Sequence, residues 1–64
     1  MPHSIYDIRP GDIVAVTDHM GNEDVITVTR AQEYDGVMTV TDQTGWDTPL
    51  DKGDPFRYIH RAHR

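Results

Sequence analysis

Two alternating runs joined by Asp35-Gly36 constrain this chain more than any other feature. Residues 24–34 (DVITVTRAQEY) place Ile26 and Val28 on one side and Val25, Thr27 and Thr29 on the other. Residues 37–42 (VMTVTD) repeat the pattern, with Met38 and Val40 opposite Val37, Thr39 and Thr41. Successive side chains of a strand face opposite ways, so each run builds a sheet with one apolar side. Asp-Gly between them supplies the positive-φ residues that a two-residue hairpin turn requires. The chain is therefore predicted to be all-β.

Composition points the same way. Val, Ile and Thr supply 18 of 64 residues, against one Leu and three Ala, a balance that favours strands. Three further strands are expected. One covers residues 13–17 after the turn chemistry of Pro10, Gly11 and Asp12, with Val14 and Val16 inward. Another is short and starts at Trp46 after the Gly45 turn, and a last one covers residues 56–59 (FRYI). Residues 48–56 (TPLDKGDPF) hold two prolines and a glycine and read as a loop or one tight helical turn. Trp46 and Phe56 are expected in the core, because aromatics dominate small cores. Tyr6 and Tyr34, beside turns, are the expected exposed pair. Five short strands in one 64-residue domain predict a small closed or half-open barrel, since closure removes exposed sheet edges. A mobile N-terminus (1–5) and a basic C-terminal tail (60–64) flank it.

Residues 9–29 carry a resemblance. The Gly-Asp turn, the alternating valines of PGDIVAV, the loop at Gly21 and the returning VITV are similar to the KOW-type entry of SH3-like β-barrels. The resemblance implies a five-stranded SH3-like barrel. Family members that bind RNA carry Lys or Arg in the loops around this motif, whereas here residues 18–24 (DHMGNED) contain three acids and no Lys or Arg. It therefore speaks for the fold and against the ligand.

Length and charge narrow the function. A chain this short has little room for both a core and a large substrate cavity. It has no Cys, which removes disulfides, thiolate metal sites and cysteine nucleophiles. The N-terminal residues do not read as a signal peptide and no apolar run is long enough to span a bilayer, so a cytoplasmic protein without membrane attachment is expected. Residues 1–55 hold all eleven acids and only Arg9, Arg30 and Lys52, a net charge of −8; residues 56–64 add Arg57, Arg61 and Arg64 and no acid. The acidic body repels phosphate, while the tail either docks on an anion or folds back on the body.

Catalytic chemistry is poorly provided for. The single Ser, Ser4, lies near the terminus, and no acid sits in an apolar stretch that would raise its pKa into a general-acid range. No catalytic residues are assigned, and the protein is not expected to be an enzyme. His60 and His63 form an H-x-x-H pair, with His3 and His19 elsewhere, but residues three apart on a strand face opposite ways and no carboxylate stands beside them at ligand spacing. Neither a metal nor a cofactor is expected.

What remains is recognition. Asp35, Asp42, Asp47, Asp51 and Asp54 fall in or beside turns, where Asp bonds local backbone and also charges the surface. With Tyr6 and Tyr34 they are the expected binding residues of an acidic, aromatic-edged face for a protein partner with a basic surface. Two alternatives stand beside this reading. One is a decoy or inhibitor encoded by a phage or mobile element, its acids imitating nucleic-acid phosphate. The other is nucleic-acid binding through Arg57, Arg61 and Arg64. Homo-oligomerisation through a strand edge is compatible with all three.

Overall fold

The computed structural model describes residues 4–62. A 3-10 turn at Ile5–Asp7 precedes six strands: β1 (Ile13–Thr17), β2 (Glu23–Thr27), β3 (Arg30–Tyr34), β4 (Val37–Thr41), β5 (Asp47–Leu50) and β6 (Phe56–His60). They form two three-stranded antiparallel sheets, ordered β2-β1-β6 and β3-β4-β5. The all-β expectation holds. The strand count and the closed barrel are corrected: among the described residues there are six strands, in two separate ladders.

The extra strand comes from a break in the run 24–34. The Val28 N–H donates to the Asp12 carbonyl at 2.8 Å, and the Val28 carbonyl accepts from the Gly11 N–H at 2.8 Å. One residue later the Thr29 N–H donates to the Thr41 carbonyl at 2.8 Å. The backbone thus changes partners from the entry turn to β4 within two residues, ending one sheet and starting the other. Ile26 and Val28 are both buried, but beyond the break the inward phase moves to the odd positions, with Ala31 opposite Val40 and packed against the core.

A second correction concerns residues 48–56. β5 runs through Pro49, paired as Thr48↔Val40, Pro49↔Thr39 and Leu50↔Met38. Proline is tolerated there because β5 is an edge strand, whose open side requires no N–H donor. The Asp-Gly hairpin forms as expected: Asp35 and Gly36 have φ of 53° and 83°, the two positive values of a type I′ turn.

The core is aliphatic. Val14, Val16, Ile26, Val28, Met38 and Val40 are buried as their alternation requires, and Ile5, Ile8 and Leu50 join them. Ile5 is only 4% exposed and Ser4 caps the 3-10 turn, so the packed body begins before residue 6, not after it. Phe56 packs partly against the core, but Trp46 is 72% exposed and is not a core residue. It belongs to the β4–β5 turn, where the Asp42 N–H donates to the Trp46 carbonyl at 3.0 Å.

Asp12 closes the fold. It is fully buried, and its carboxylate accepts from the Arg9 N–H at 2.9 Å and from the Ala62 N–H at 2.6 Å. The entry turn and the chain following β6 therefore meet at one side chain. Gly11 makes this approach feasible: its φ is +96° and a Cβ there would stand 3.0 Å from the Ala62 Cβ. Gly11→Ala is expected to destabilise the protein by about 1–2 kcal/mol, the cost of left-handed backbone for an L-residue. Urea denaturation measures it, and an unchanged midpoint would contradict the close approach.

Candidate partner-binding groove

The side of the molecule where the β1–β2 loop faces β5 carries a groove of about 440 Å³. Its floor is apolar: Val16 ends the buried stretch of β1, and Leu50 ends β5, at 7% and 4% exposure. Pro49 and Pro55 extend this surface, and Asp18, His19, Asp24 and Asp54 stand along the rim. The two walls are tied where the Thr17 N–H donates to the Pro55 carbonyl at 3.2 Å.

Local hydrogen bonding sets the rim. Asp18 Oδ1 accepts from the Met20 and Asn22 N–H groups, both at 2.9 Å, and the Asp18 N–H donates to the Asn22 carbonyl at 2.9 Å. The Asn22 N–H, with smaller contributions from Met20 and His19, holds the Asp18 carboxyl below its ordinary pKa, so it is ionised at neutral pH. In the β5–β6 connection Asp54 Oδ2 accepts from the Asp51 N–H at 2.8 Å. A carboxylate has about four acceptor sites, so these turn bonds leave acceptor capacity toward the groove.

The acids expected to form one face are distributed over three loops. Asp35 lies in the β3–β4 hairpin, Asp42 and Asp47 at the β4–β5 turn, and Asp51 and Asp54 between β5 and β6. The first two loops sit at opposite ends of β4, separated by five strand residues or about 16 Å. Of the five, Asp54 lines the groove. Asp42 is spent on its own turn: Oδ1 accepts from the Thr44 hydroxyl and from the Thr44 and Trp46 N–H groups at 2.6–3.0 Å. The Thr44 hydroxyl contributes most to holding its carboxyl below the ordinary range. Asp47 accepts from the Thr41 hydroxyl at 2.6 Å.

The two tyrosines also part ways. Tyr34 is 83% exposed. Tyr6 is not exposed as expected: it packs against the core and its hydroxyl donates to the Gly36 carbonyl at 2.6 Å. With Phe56 and Lys52 it lines a second groove of about 450 Å³, which shares Asp54 with the first.

Asp18 and Asp24 are the groove carboxylates that the sequence did not single out. Their signal was present as the acidic loop after β1, but the partner wall lies some thirty positions away along the chain. Only the fold brings β5 opposite that loop.

Two tail arginines are engaged within the molecule. Arg57 donates from Nε and Nη2 to the two Glu23 carboxylate oxygens at 2.8 and 3.1 Å, and this pairing lowers the Glu23 pKa and raises that of Arg57. The Arg61 guanidinium lies 4.7 Å from the Tyr58 ring centroid. Arg64, His63 and His3 lie outside the described residues. His60 ends β6 opposite Ile13, whereas His19 stands on the groove rim. Among the described residues no group of three or more His, Cys, Asp or Glu is placed to hold a metal, and no helix is long and apolar enough to cross a membrane.

No family model, curated protein or solved structure matches this chain significantly. The function is therefore read from the groove itself.

Proposed function

We propose that this protein is a non-enzymatic interaction module that binds a basic segment of a partner protein in the groove between the β1–β2 loop and β5. The observation that carries this reading is the pairing of an apolar floor, Val16 and Leu50, with three carboxylates, Asp18, Asp24 and Asp54. An arginine side chain matches that pairing, because its aliphatic stem covers apolar surface while its guanidinium stays at the polar rim. Net charge of −8 over residues 1–55 attracts such a partner and disfavours nucleic acid. The strand connections fit a fold-level resemblance to SH3-like scaffolds: β1 pairs with both β2 and the last strand, and one bent run feeds both sheets.

The test is an amide-resolved NMR titration with the peptide acetyl-Gly-Arg-Gly-Gly-Arg-Gly-amide. Shifts are expected at residues 16–19, 24, 48–50 and 54, weakening as salt rises. Neutralising the rim with Asp18→Asn, Asp24→Asn and Asp54→Asn keeps an acceptor oxygen for the Asp18 and Asp54 turns, and Asp24 lies in β2. The triple variant is expected to bind about tenfold more weakly, as three exposed ion pairs acting together would give. Unchanged affinity in that variant would sink the reading, as would shifts induced by a short DNA or RNA strand at the same residues.

A further inference from the structure

The only Trp of this chain is out of place for a protein this small. A 64-residue domain needs large apolar side chains in its core, yet Trp46 is 72% exposed while the core is closed by aliphatic residues. The turn that carries it is also unusually well fixed. Asp42 Oδ1 receives the Trp46 N–H at 3.0 Å and both Thr44 donors, Gly45 takes φ +89°, and the Thr29 hydroxyl braces the same turn against the Thr41 and Asp42 carbonyls at 3.1 Å. An exposed aromatic on a pre-ordered turn is the kind of residue that anchors interfaces, because little freedom remains to be lost on binding.

Its position connects it to the groove. Trp46 immediately precedes β5, and the groove wall on that strand begins at Thr48, two residues further on. Pro49, midway along the wall, is three residues from Trp46, about 10 Å at strand rise. A partner segment in extended conformation spans that distance with three residues. Charge selects its chemistry: Trp46 lies between Asp42 and Asp47 in sequence, on a body whose net charge is negative, and an indole face attracts a cation.

We propose that Trp46 is a second subsite of the same surface, taking a second arginine spaced three residues from the one held between the rim carboxylates. This rests on the groove reading above and specifies the partner further, as an extended segment of the form Arg-x-x-Arg. Pro49 suits such a role, since it lacks the N–H that would let the segment join β5 as another strand and leaves side chains to decide binding.

Two peptides test it: acetyl-Gly-Arg-Gly-Gly-Arg-Gly-amide and the same peptide with its second Arg replaced by Gln, each read by groove amide shifts and by Trp46 fluorescence. The two-arginine peptide is expected to change the fluorescence and to bind about threefold to fivefold more tightly than the single-arginine peptide, the range for an exposed cation–π contact. Trp46→Ala should abolish that advantage while leaving groove shifts with the single-arginine peptide intact, and Trp46→Phe should restore part of it. An advantage that survives Trp46→Ala overturns the subsite and leaves the groove standing. Absence of groove shifts with either peptide overturns both. Concentration-dependent Trp46 fluorescence, with a dimer in light scattering, assigns the residue to a second copy of the chain and also overturns the subsite.

Discussion

Asp12→Ala is expected to remove about 3 kcal/mol of stability, the cost of leaving two part-buried backbone donors without the carboxylate that accepts from both. The carboxylate is fully buried and receives the Arg9 and Ala62 N–H groups on separate oxygens. A 64-residue domain has only about 3–10 kcal/mol in total, so a large unfolded fraction at 25 °C is expected. Asp12→Asn should fall between wild type and Asp12→Ala, because its carbonyl oxygen still accepts one of these bonds while its NH₂ opposes the other donor. Urea denaturation followed by circular dichroism gives both values. A loss below about 1 kcal/mol for Asp12→Ala would mean that water replaces the carboxylate at little cost, and that the two ends of the fold are held by other contacts.

Ile8→Ala is the second large effect, at about 3 kcal/mol, within the range for truncating a fully buried isoleucine. Ile8 is completely buried although it lies outside every strand. With Ile5 it covers the core from the N-terminal side, and the Tyr6 hydroxyl fastens the same segment to the Gly36 carbonyl. The variant should lower the denaturation midpoint and also speed amide exchange in the β3–β4 hairpin that the segment touches. Ile59→Ala is the control: at 47% exposure it should stay within about 0.5 kcal/mol of wild type. Equal losses at the two positions would refute the role given to residues 5–8.

The sequence was most informative where one strand and its immediate turn decide the outcome. Alternation in residues 37–41 correctly placed Met38 and Val40 inside, and Asp35-Gly36 correctly marked a tight hairpin. It was least informative where a residue's environment is set from far along the chain. Residues 24–34 read as one strand because Ile26 and Val28 alternate with threonines and no turn residue interrupts the run, yet the backbone changes partners at Val28 and Thr29. Pro49 read as a loop residue because proline removes a ladder donor, and only the edge position of β5 makes it harmless. Trp46 read as core on its type alone. A local clue pointed the other way: Asp42, Thr44 and Gly45 are the residues of a side-chain-capped turn, which holds the following Trp outside.

The site divides in the same manner. Acidity of the β1–β2 loop is a property of the chain, and so is the preference of Asp for turns. That Asp18, Asp24 and Asp54 line one groove with Val16 and Leu50 is a property of the fold, because it requires β5 and the β5–β6 connection to lie beside the end of β1 and its loop. The sequence alone determined the all-β class, the inward faces of its strands and the tight hairpin, since two-residue periodicity and turn dihedrals act over a few residues. Only the tertiary structure decided the split into two sheets, the burial of Asp12 between the two ends, the exposure of Trp46 and the groove. Those depend on which distant backbone and side-chain groups satisfy one another, and a hydrogen bond over fifty residues leaves no period to read.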